Sequence, residues 1–248
     1  MYFFRKSIYW KSLIRKSILK LKGIDKIIEL LKTKASVKQD VFAHGVLAFK
    51  EFKESAKNLI DHLASLYSKI DPRVKLLFTD ISEQEFRIVI AGDILIFHMH
   101  TNVFQYDKSH YYWKQSYFKE DPSRAYGIMF RVYNFLADSV TYNRDNDLGF
   151  LIARIFVNKE NHFVLESKLR LGSHYPYLKN QLFTSDLQNS LMICLINYSM
   201  EFELSVPEYS NVQTVSIAEI IDFNNQIKTQ TVKKLGFKFG ADKKHDFE

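Results

Sequence analysis

The amino-acid sequence predicts an α+β fold, in which helices pack on a mainly antiparallel sheet of about four strands. Two pairs of segments have the β-branched composition and central turn of β-hairpins, and stretches with helical periodicity precede and separate them. The chain has only 8 Gly and 4 Pro, but 21 Phe and 14 Tyr. We therefore expect long elements around a bulky core, with a long N-terminal helical pair before the sheet.

The first 38 residues form a basic arm. They include eleven Lys or Arg and two acids, Asp25 and Glu29, so the arm carries +9 while the whole chain carries +7. Apolar residues recur at helical spacing and predict an amphipathic helix over about residues 7–32. The cationic residues that we expect to contact a partner are Arg5, Lys6, Lys11, Arg15, Lys16 and Lys20.

Three kinds of anionic partner suit this arm. A basic amphipathic helix can lie in the interface of an anionic membrane. It can also neutralise the phosphates of nucleic acid or fit an acidic groove of another protein. In a fourth interpretation, the apolar stripe packs on the body of the same chain and the lysines form a solvated face.

A second helix is predicted over about residues 41–70, because apolar residues recur there in alternating steps of three and four. A polar link near residues 33–40 would let the two helices form an αα-hairpin. The same seam would allow a homodimer through residues 42–70, although packing within the chain is the simpler expectation. The seam residues are Phe49, Phe52, Ala56, Leu59, Leu63, Leu66 and Ile70.

Two β-hairpins follow. The first joins residues 85–91 to residues 94–100 through Gly92-Asp93, a favoured two-residue loop. In this register Arg87 lies opposite His98. The second hairpin has its strands at 148–157 and 162–171 and its loop at 158–161.

A helix is predicted after each hairpin. The first covers about residues 123–141, with Asp121 as N-cap and Pro122 in the first turn. The second covers about residues 184–204 and presents an apolar side. The expected organisation is a basic arm at 1–38, a single α+β domain at 39–227 and a mobile, Lys-rich tail at 228–248.

The first candidate site for chemistry lies on the first hairpin. His98 and His100 are two residues apart on a strand, so both imidazoles point to one face, where Glu85 lies opposite His100. Two His and one carboxylate form an incomplete site for a metal such as Zn²⁺. The competing interpretation is a polar sheet face in which Glu85 pairs with His100.

The second candidate lies on the strand at 162–171. The Glu-x-Lys spacing of Glu166 and Lys168 resembles the catalytic strand of the PD-(D/E)XK nucleases, in which acids bind Mg²⁺ and the Lys assists the attacking water. That resemblance implies a second carboxylate that shares the ion with Glu166. The upstream acid is Asp147, and the predicted register, with Glu166 opposite Ala153, separates it from Glu166 by about 20 Å.

Two further groups of residues suit binding. His162, Glu166, Lys168 and Arg170 alternate with apolar residues, so they share one face of a strand that could receive an anionic ligand. Aromatic and basic residues interleave over 106–119, where Tyr112 and Trp113 could stack on bases or form an aromatic anchor for a protein.

Several functional classes are excluded or disfavoured. The chain has no Walker A loop, Rossmann glycine pattern, GxSxG elbow or CxxC pair. A single cysteine, Cys194, cannot form an intrachain disulfide and fits a reducing, cytoplasmic compartment. We therefore expect a non-catalytic binding or accessory protein without a cofactor, whose arm engages an anionic partner. The alternative is a metal-dependent hydrolase that uses Glu166 and Lys168, or Glu85, His98 and His100.

Overall fold

The computed structural model describes residues 23–142, 147–167, 182–204, 206, 208–218 and 237–239. Eight of the residues singled out above therefore lie outside the described part of the chain. They are Arg5, Lys6, Lys11, Arg15, Lys16, Lys20, Lys168 and Arg170.

A long helix opens the described structure. Residues 23–30 are α-helical, Leu31–Ser36 form a π-helical segment, and helix α1 continues over Val37–Tyr67 without interruption. The predicted polar link near residues 33–40 is therefore wrong, and the described part of the first predicted helix, from residue 23, continues directly into the second. No Gly or Pro lies between Gly23 and Gly45, so polarity alone does not stop the helix.

Six antiparallel strands form a sheet in which each strand pairs with the next along the chain. The sheet thus has two strands more than expected. Strand β1 was not predicted, and its burial pattern lacks the regular alternation of β2. The strands are β1 (Leu76–Ser82), β2 (Glu85–Ile90), β3 (Asp93–Gln105), β4 (Tyr126–Leu136), β5 (Phe150–Asn158) and β6 (Phe163–Glu166).

Strand β4 replaces most of the helix predicted over 123–141. The spacing of Ile128, Val132 and Phe135 suits a helix, but side chains along β4 alternate between buried and half-buried, which is the period of a strand. Aromatic and β-branched residues then favour the strand. Asp121 does cap a turn, since its side chain accepts a hydrogen bond from the Ser123 backbone N–H, but that turn is a short 3₁₀ segment.

The remaining elements are short except for one helix. The helix predicted over 184–204 is confirmed over Ser185–Met200 and then gives way to a strand. The predicted tail contains one described strand, which pairs with the strand that follows this helix. These elements are 3₁₀ segments at Tyr111–Lys114 and Pro122–Ala125, helices α2 (Ser116–Glu120), α3 (Ala137–Thr141), α4 (Ser185–Met200) and α5 (Tyr209–Val212), and strands β7 (Phe202–Leu204) and β8 (Phe237–Phe239).

Helices α1 and α4 cover one face of the sheet, and an aromatic core fills the space between them. Phe52 of α1 packs against the rings of Phe86, Phe97 and Phe183 at centroid distances of 6.0, 5.6 and 5.3 Å. Gly45 lets α1 approach β4, because a Cβ there would lie 2.3 Å from Cγ2 of Ile128. The chain thus covers one face of its sheet with its own helices.

The predicted seam of the 41–70 helix divides into two parts. Phe49, Phe52 and Ala56 are buried in the core, whereas Leu66 and Ile70 at the far end are exposed. Packing within the chain, which was the simpler expectation, therefore occupies the central part of the seam. A homodimer through residues 42–70 would have to use the exposed residues instead.

Both hairpins form, but in shifted registers. The first loop is Ala91-Gly92, so Glu85 pairs with His98, where the predicted partner of His98 was Arg87. Ala91 adopts a positive φ of 52° in this loop. In the second hairpin the loop is one residue longer, with Asn161 at φ 62°, and Glu166 pairs with Arg154, where Ala153 was predicted.

Among the residues that the structure describes, no helix combines the length and hydropathy that crossing a bilayer requires.

Candidate functional site

The second face of the sheet carries a row of charged and polar side chains, one from each of five strands. Register places each residue directly opposite the next: Glu85 of β2, His98 of β3, Arg131 of β4, Arg154 of β5 and Glu166 of β6. Helices α1 and α4 lie on the other side of the sheet, so they do not cover this charged row. The row brings five ionisable groups together across five adjacent strands.

Two arginines occupy the centre of the charged row. Arg131 and Arg154 are Cα partners on adjacent antiparallel strands, so their Cβ atoms lie about 5 Å apart. Like charges in directly opposite positions destabilise a sheet unless something neutralises them. Arg154 has the carboxylate of Glu166 as its partner, so the excess positive charge of the pair lies at Arg131.

Arg131 uses little of its hydrogen-bonding capacity. Its Nη2 lies 3.3 Å from Nδ1 of His98, and its buried Nε has no hydrogen-bond partner in the described structure. The guanidinium also lies over the Tyr133 ring, 5.9 Å from the centroid. A guanidinium has five N–H donors, so Arg131 makes few of the hydrogen bonds that it could form.

His98 is held neutral by its surroundings. Burial lowers the pKa of His98, and the positive charge of Arg131 lowers it further. Since a guanidinium only donates, Nδ1 of His98 accepts from Arg131 and the ring hydrogen resides on Nε2. His98 is therefore an acceptor for Arg131, and its own N–H lies on the opposite side of the ring.

Carboxylates close both ends of the charged row. Glu85 accepts a hydrogen bond from Nε of Arg87 at 2.6 Å. At the opposite end, Glu166 forms an ion pair with Arg154. Because each carboxylate already faces an arginine, the uncompensated positive charge is confined to the middle of the row, at Arg131.

The metal site predicted on the first hairpin does not assemble in the described residues. His100 accepts a hydrogen bond from the Asn102 backbone N–H at 3.0 Å, and His98 is engaged by Arg131. Glu85 faces His98, and Arg87 occupies its carboxylate. No group of three His, Cys, Asp or Glu that could hold a metal ion occurs in the part of the chain that the structure describes.

The nuclease-like site finds no second carboxylate at Glu166 in the described residues. Glu166 contacts Arg154, while Asp147 is buried and accepts a hydrogen bond from Oγ of Ser139 at 2.6 Å. Asp147 therefore belongs to a different local contact, next to α3. Lys168, the third member of the predicted motif, lies outside the described residues.

The aromatic segment forms a second small core on the face that carries the charged row. Tyr112 is buried with Tyr117 and Phe118 against Val164 of β6, so its ring cannot stack on a base. Trp113 is partly buried, and Nζ of Lys108 lies 3.8 Å from its ring centroid. The residues predicted as a stacking platform thus cover one corner of the sheet.

His162 lies at this covered corner. Its ring is 5.1 Å from that of Tyr117. The neighbouring contacts are ionic: Arg124 binds Glu160 at 2.9 Å, and Lys159 binds Asp121 at 2.7 Å. Partial burial opposes ionisation of Asp121, yet hydrogen bonds from Lys159 and Ser123 lower its pKa to about 2. These contacts hold the 106–125 segment on the sheet.

The beginning of the long helix is exposed. Every residue from 23 to 36 is solvent-exposed, including Ile24, Ile27, Ile28 and Leu31, which share one side of the helix. Burial begins in the third turn after them, at Val41. The described part of the basic arm therefore presents an apolar stripe to solvent.

Comparison of the chain with protein-family models, with curated proteins and with solved structures gives no match. The charge, burial and register of the described residues are the basis for inferring its function.

Sequence reasoning missed the two central residues of the charged row. Arg131 was assigned to a helix, and a register one residue away placed Ala153 in the position that Arg154 occupies. The available signal was the alternation along residues 126–136, where Met129, Arg131 and Tyr133 interrupt buried residues at every second position.

Proposed function

We propose that this chain is a non-catalytic binding protein whose basic N-terminal helix docks on an anionic membrane surface. The observation that supports this function is the exposed stripe of Ile24, Ile27, Ile28 and Leu31 on a helix that also carries lysines. Aliphatic side chains in water are unfavourable by about 1.5–3 kcal/mol each relative to full burial. A helix that exposes such a stripe needs an apolar partner.

The apolar stripe favours a membrane over nucleic acid. Phosphate contacts require cations only, so a nucleic-acid complex would leave the four aliphatic side chains in water. A bilayer interface accepts both features, because the acyl boundary receives the stripe while lysines contact anionic headgroups. Each Lys or Arg near such a surface contributes about 1 kcal/mol.

The amino-acid sequence extends both features towards the N-terminus. Leu13, Ile14, Ile18 and Leu21 continue the helical spacing, and the segment 1–38 carries +9. Since anionic lipids are concentrated in the cytoplasmic leaflet, we place the protein at the cytoplasmic side of a membrane. The single cysteine is consistent with that reducing side.

Vesicle co-sedimentation tests this function. We expect the full-length protein to sediment with vesicles that contain phosphatidylserine and not with vesicles of phosphatidylcholine alone. The double variant Ile27→Ser, Leu31→Ser should bind at least about 10-fold more weakly, since two apolar side chains no longer enter the bilayer. Leu47→Ser is the matched control, because Leu47 is 60% exposed on the part of the helix that packs on the body.

Two outcomes would contradict the proposal. Equal loss of vesicle binding in the double variant and in the Leu47→Ser control would show that the stripe has no specific role. Sedimentation unchanged in the double variant, together with oligonucleotide binding that falls steeply with salt, would assign the arm to nucleic acid.

A further inference from the structure

The centre of the charged row has the properties of a ligand site that the membrane-binding helix does not use. We propose that Arg131 and Arg154 bind the phosphate group of a small phosphate monoester on the second face of the sheet. The two arginines are fixed opposite each other on β4 and β5. An anion between them would give Arg131 a charge-assisted contact and would share Arg154 with Glu166.

The donors at this place are directed and incompletely used. Arg131 makes a single described hydrogen bond, to His98, and its buried Nε makes none. Arg154 keeps 46% of its side-chain surface exposed while it contacts Glu166. Two guanidinium groups are a donor set suited to a phosphate, which accepts through three or four oxygens.

A further donor without a partner lies beside the site. The hydroxyl of Tyr106 is buried and makes no hydrogen bond in the described structure. Burial raises the pKa of Tyr106, and the carboxylate of Glu166 adds to that effect while Arg154 opposes it. Tyr106 therefore stays protonated near Arg154 and Glu166. The Tyr106 hydroxyl is thus a further hydrogen-bond donor close to Arg154 and Glu166.

The acidic ends of the row determine the size of the ligand. Glu85 and Glu166 lie at the two ends of the row, with the arginines and His98 between them. A polyanionic strand laid along the row would contact both carboxylates and would be repelled. A single phosphate group fits the positive centre alone. We therefore assign the site to a small monoester.

The neighbouring row of the same face suits the organic part of the ligand. Ile96 and Tyr133 are paired on β3 and β4, and Leu151 on β5 pairs with Tyr133. Ile96 and Tyr133 are half-buried and Leu151 is 39% exposed, so they form an apolar, accessible floor next to Arg131. A ligand with an apolar or aromatic body attached to its phosphate would lie on this floor.

Calorimetric titration with two probes tests the site. We expect phenyl phosphate to bind the full-length protein with a Kd of about 1 mM or below. Inorganic phosphate should bind several-fold more weakly, because it does not contact Ile96, Tyr133 and Leu151. Arg154→Gln and Arg131→Gln should each weaken phenyl phosphate binding at least about 10-fold, since each removes a charge-assisted contact.

The matched control is Arg73→Gln. Arg73 is exposed and forms its ion pair with Asp71, outside the charged row, so this variant should bind phenyl phosphate like the unmodified protein. Arg154 is half exposed, which keeps Arg154→Gln informative if Arg131→Gln does not fold. Binding that is equal in Arg154→Gln and Arg73→Gln overturns the proposal, as does absence of binding by the unmodified protein at about 10 mM phenyl phosphate.

A competition experiment separates the monoester from a polyanion. An oligonucleotide that displaces phenyl phosphate at far lower concentration would show that the row accepts a strand, and it would overturn the assignment to a monoester. Failure of the oligonucleotide to compete supports the assignment, because Glu85 and Glu166 would then exclude it.

Discussion

The two faces of the sheet use the same strands for opposite purposes. On the face covered by α1 and α4, buried Phe, Ile and Leu side chains fill the space and leave no charge in the core cluster. On the second face, the charged row crosses five strands and places Arg131 opposite Arg154. The first arrangement stabilises the fold by burial, whereas the second leaves the positive charge of Arg131 without a carboxylate partner in the described structure. Within the sheet, the charged row on the second face is therefore the place where a ligand site is expected.

The sharpest test of the covered face is Phe52→Ala. Phe52 is fully buried among three aromatic rings, so we expect the free energy of unfolding to fall by about 3–5 kcal/mol. Chemical denaturation measures this change. The exposed Leu47 on the same helix serves as control, and Leu47→Ala should change stability by less than about 0.5 kcal/mol. Similar losses at both positions would mean that α1 does not pack on the sheet as described.

A smaller effect is expected where α1 approaches β4. In Gly45→Ala the new Cβ would lie 2.3 Å from Cγ2 of Ile128, so helix or side chain must move. We expect a loss of about 1–3 kcal/mol in the free energy of unfolding. Gly23→Ala is the control, since a Cβ at that position would meet no other group within 4 Å. There the substitution should stabilise the helix slightly or have no effect, and a stabilising Gly45→Ala would contradict the close approach.

Asp121, in the 106–125 segment that covers one corner of the second face, makes the stability of the fold depend on pH. Asp121 has a folded-state pKa of about 2, below its ordinary value of 3.8. A lowered carboxyl pKa stabilises the fold above the ordinary value, and that contribution is lost as the pH falls from about 4 through about 2. Because Asp121 is partly exposed, screening limits the contribution to about 1 kcal/mol or less.

Asp121→Asn should therefore lower the free energy of unfolding by about 1 kcal/mol at neutral pH and reduce its dependence on pH below 4. Denaturation at a series of pH values measures both. Lys119→Gln is a suitable control, since it changes a charge in the same segment without touching the Asp121 contact to Lys159. A pH dependence unchanged in Asp121→Asn would assign the acid transition to other groups.

The smallest predicted effect concerns His98 on the second face. Burial and the charge of Arg131 lower the pKa of His98 below 6.5. The folded protein therefore binds this proton less readily than the unfolded chain, so stability decreases as the pH falls below 6.5 towards the folded pKa. Arg131→Gln should raise the pKa of His98, measured by NMR titration of its ring protons. An unchanged pKa of His98 in Arg131→Gln would show that the Arg131 charge does not act on His98.

Sequence reasoning reached the α+β class, both hairpins, and the helices at Val37–Tyr67 and Ser185–Met200, because each has a strong local signal. It failed at β4, where the positions of Ile128, Val132 and Phe135 satisfy a helical and a strand period together. Only pairing with β3 and β5 resolves that ambiguity. The assignment of the 41–70 seam succeeded in the buried centre of the helix.

The candidate site was harder to predict than the fold. Sequence placed Glu85, His98 and His100 on one face, which the register preserves, but it paired the wrong members. For Glu166, a loop one residue longer than expected changes its partner from Ala153 to Arg154 and so replaces a shallow floor by an ion pair. A shift of one residue exchanges the two faces of a strand, and loop length is weakly specified by Asn and Lys residues alone.

The π-helical segment Leu31–Ser36 separates the exposed beginning of the long helix from its packed remainder. An α-helix turns about 100° per residue, and a π-helical turn takes in an extra residue, so the segment rotates the two halves relative to each other. The stripe at Ile24 and Leu31 therefore points in a different direction from the one that buries Val41. If the arm docks on a membrane as proposed, this change of phase lets the leading half lie flat on lipid while the trailing half stays packed on the sheet.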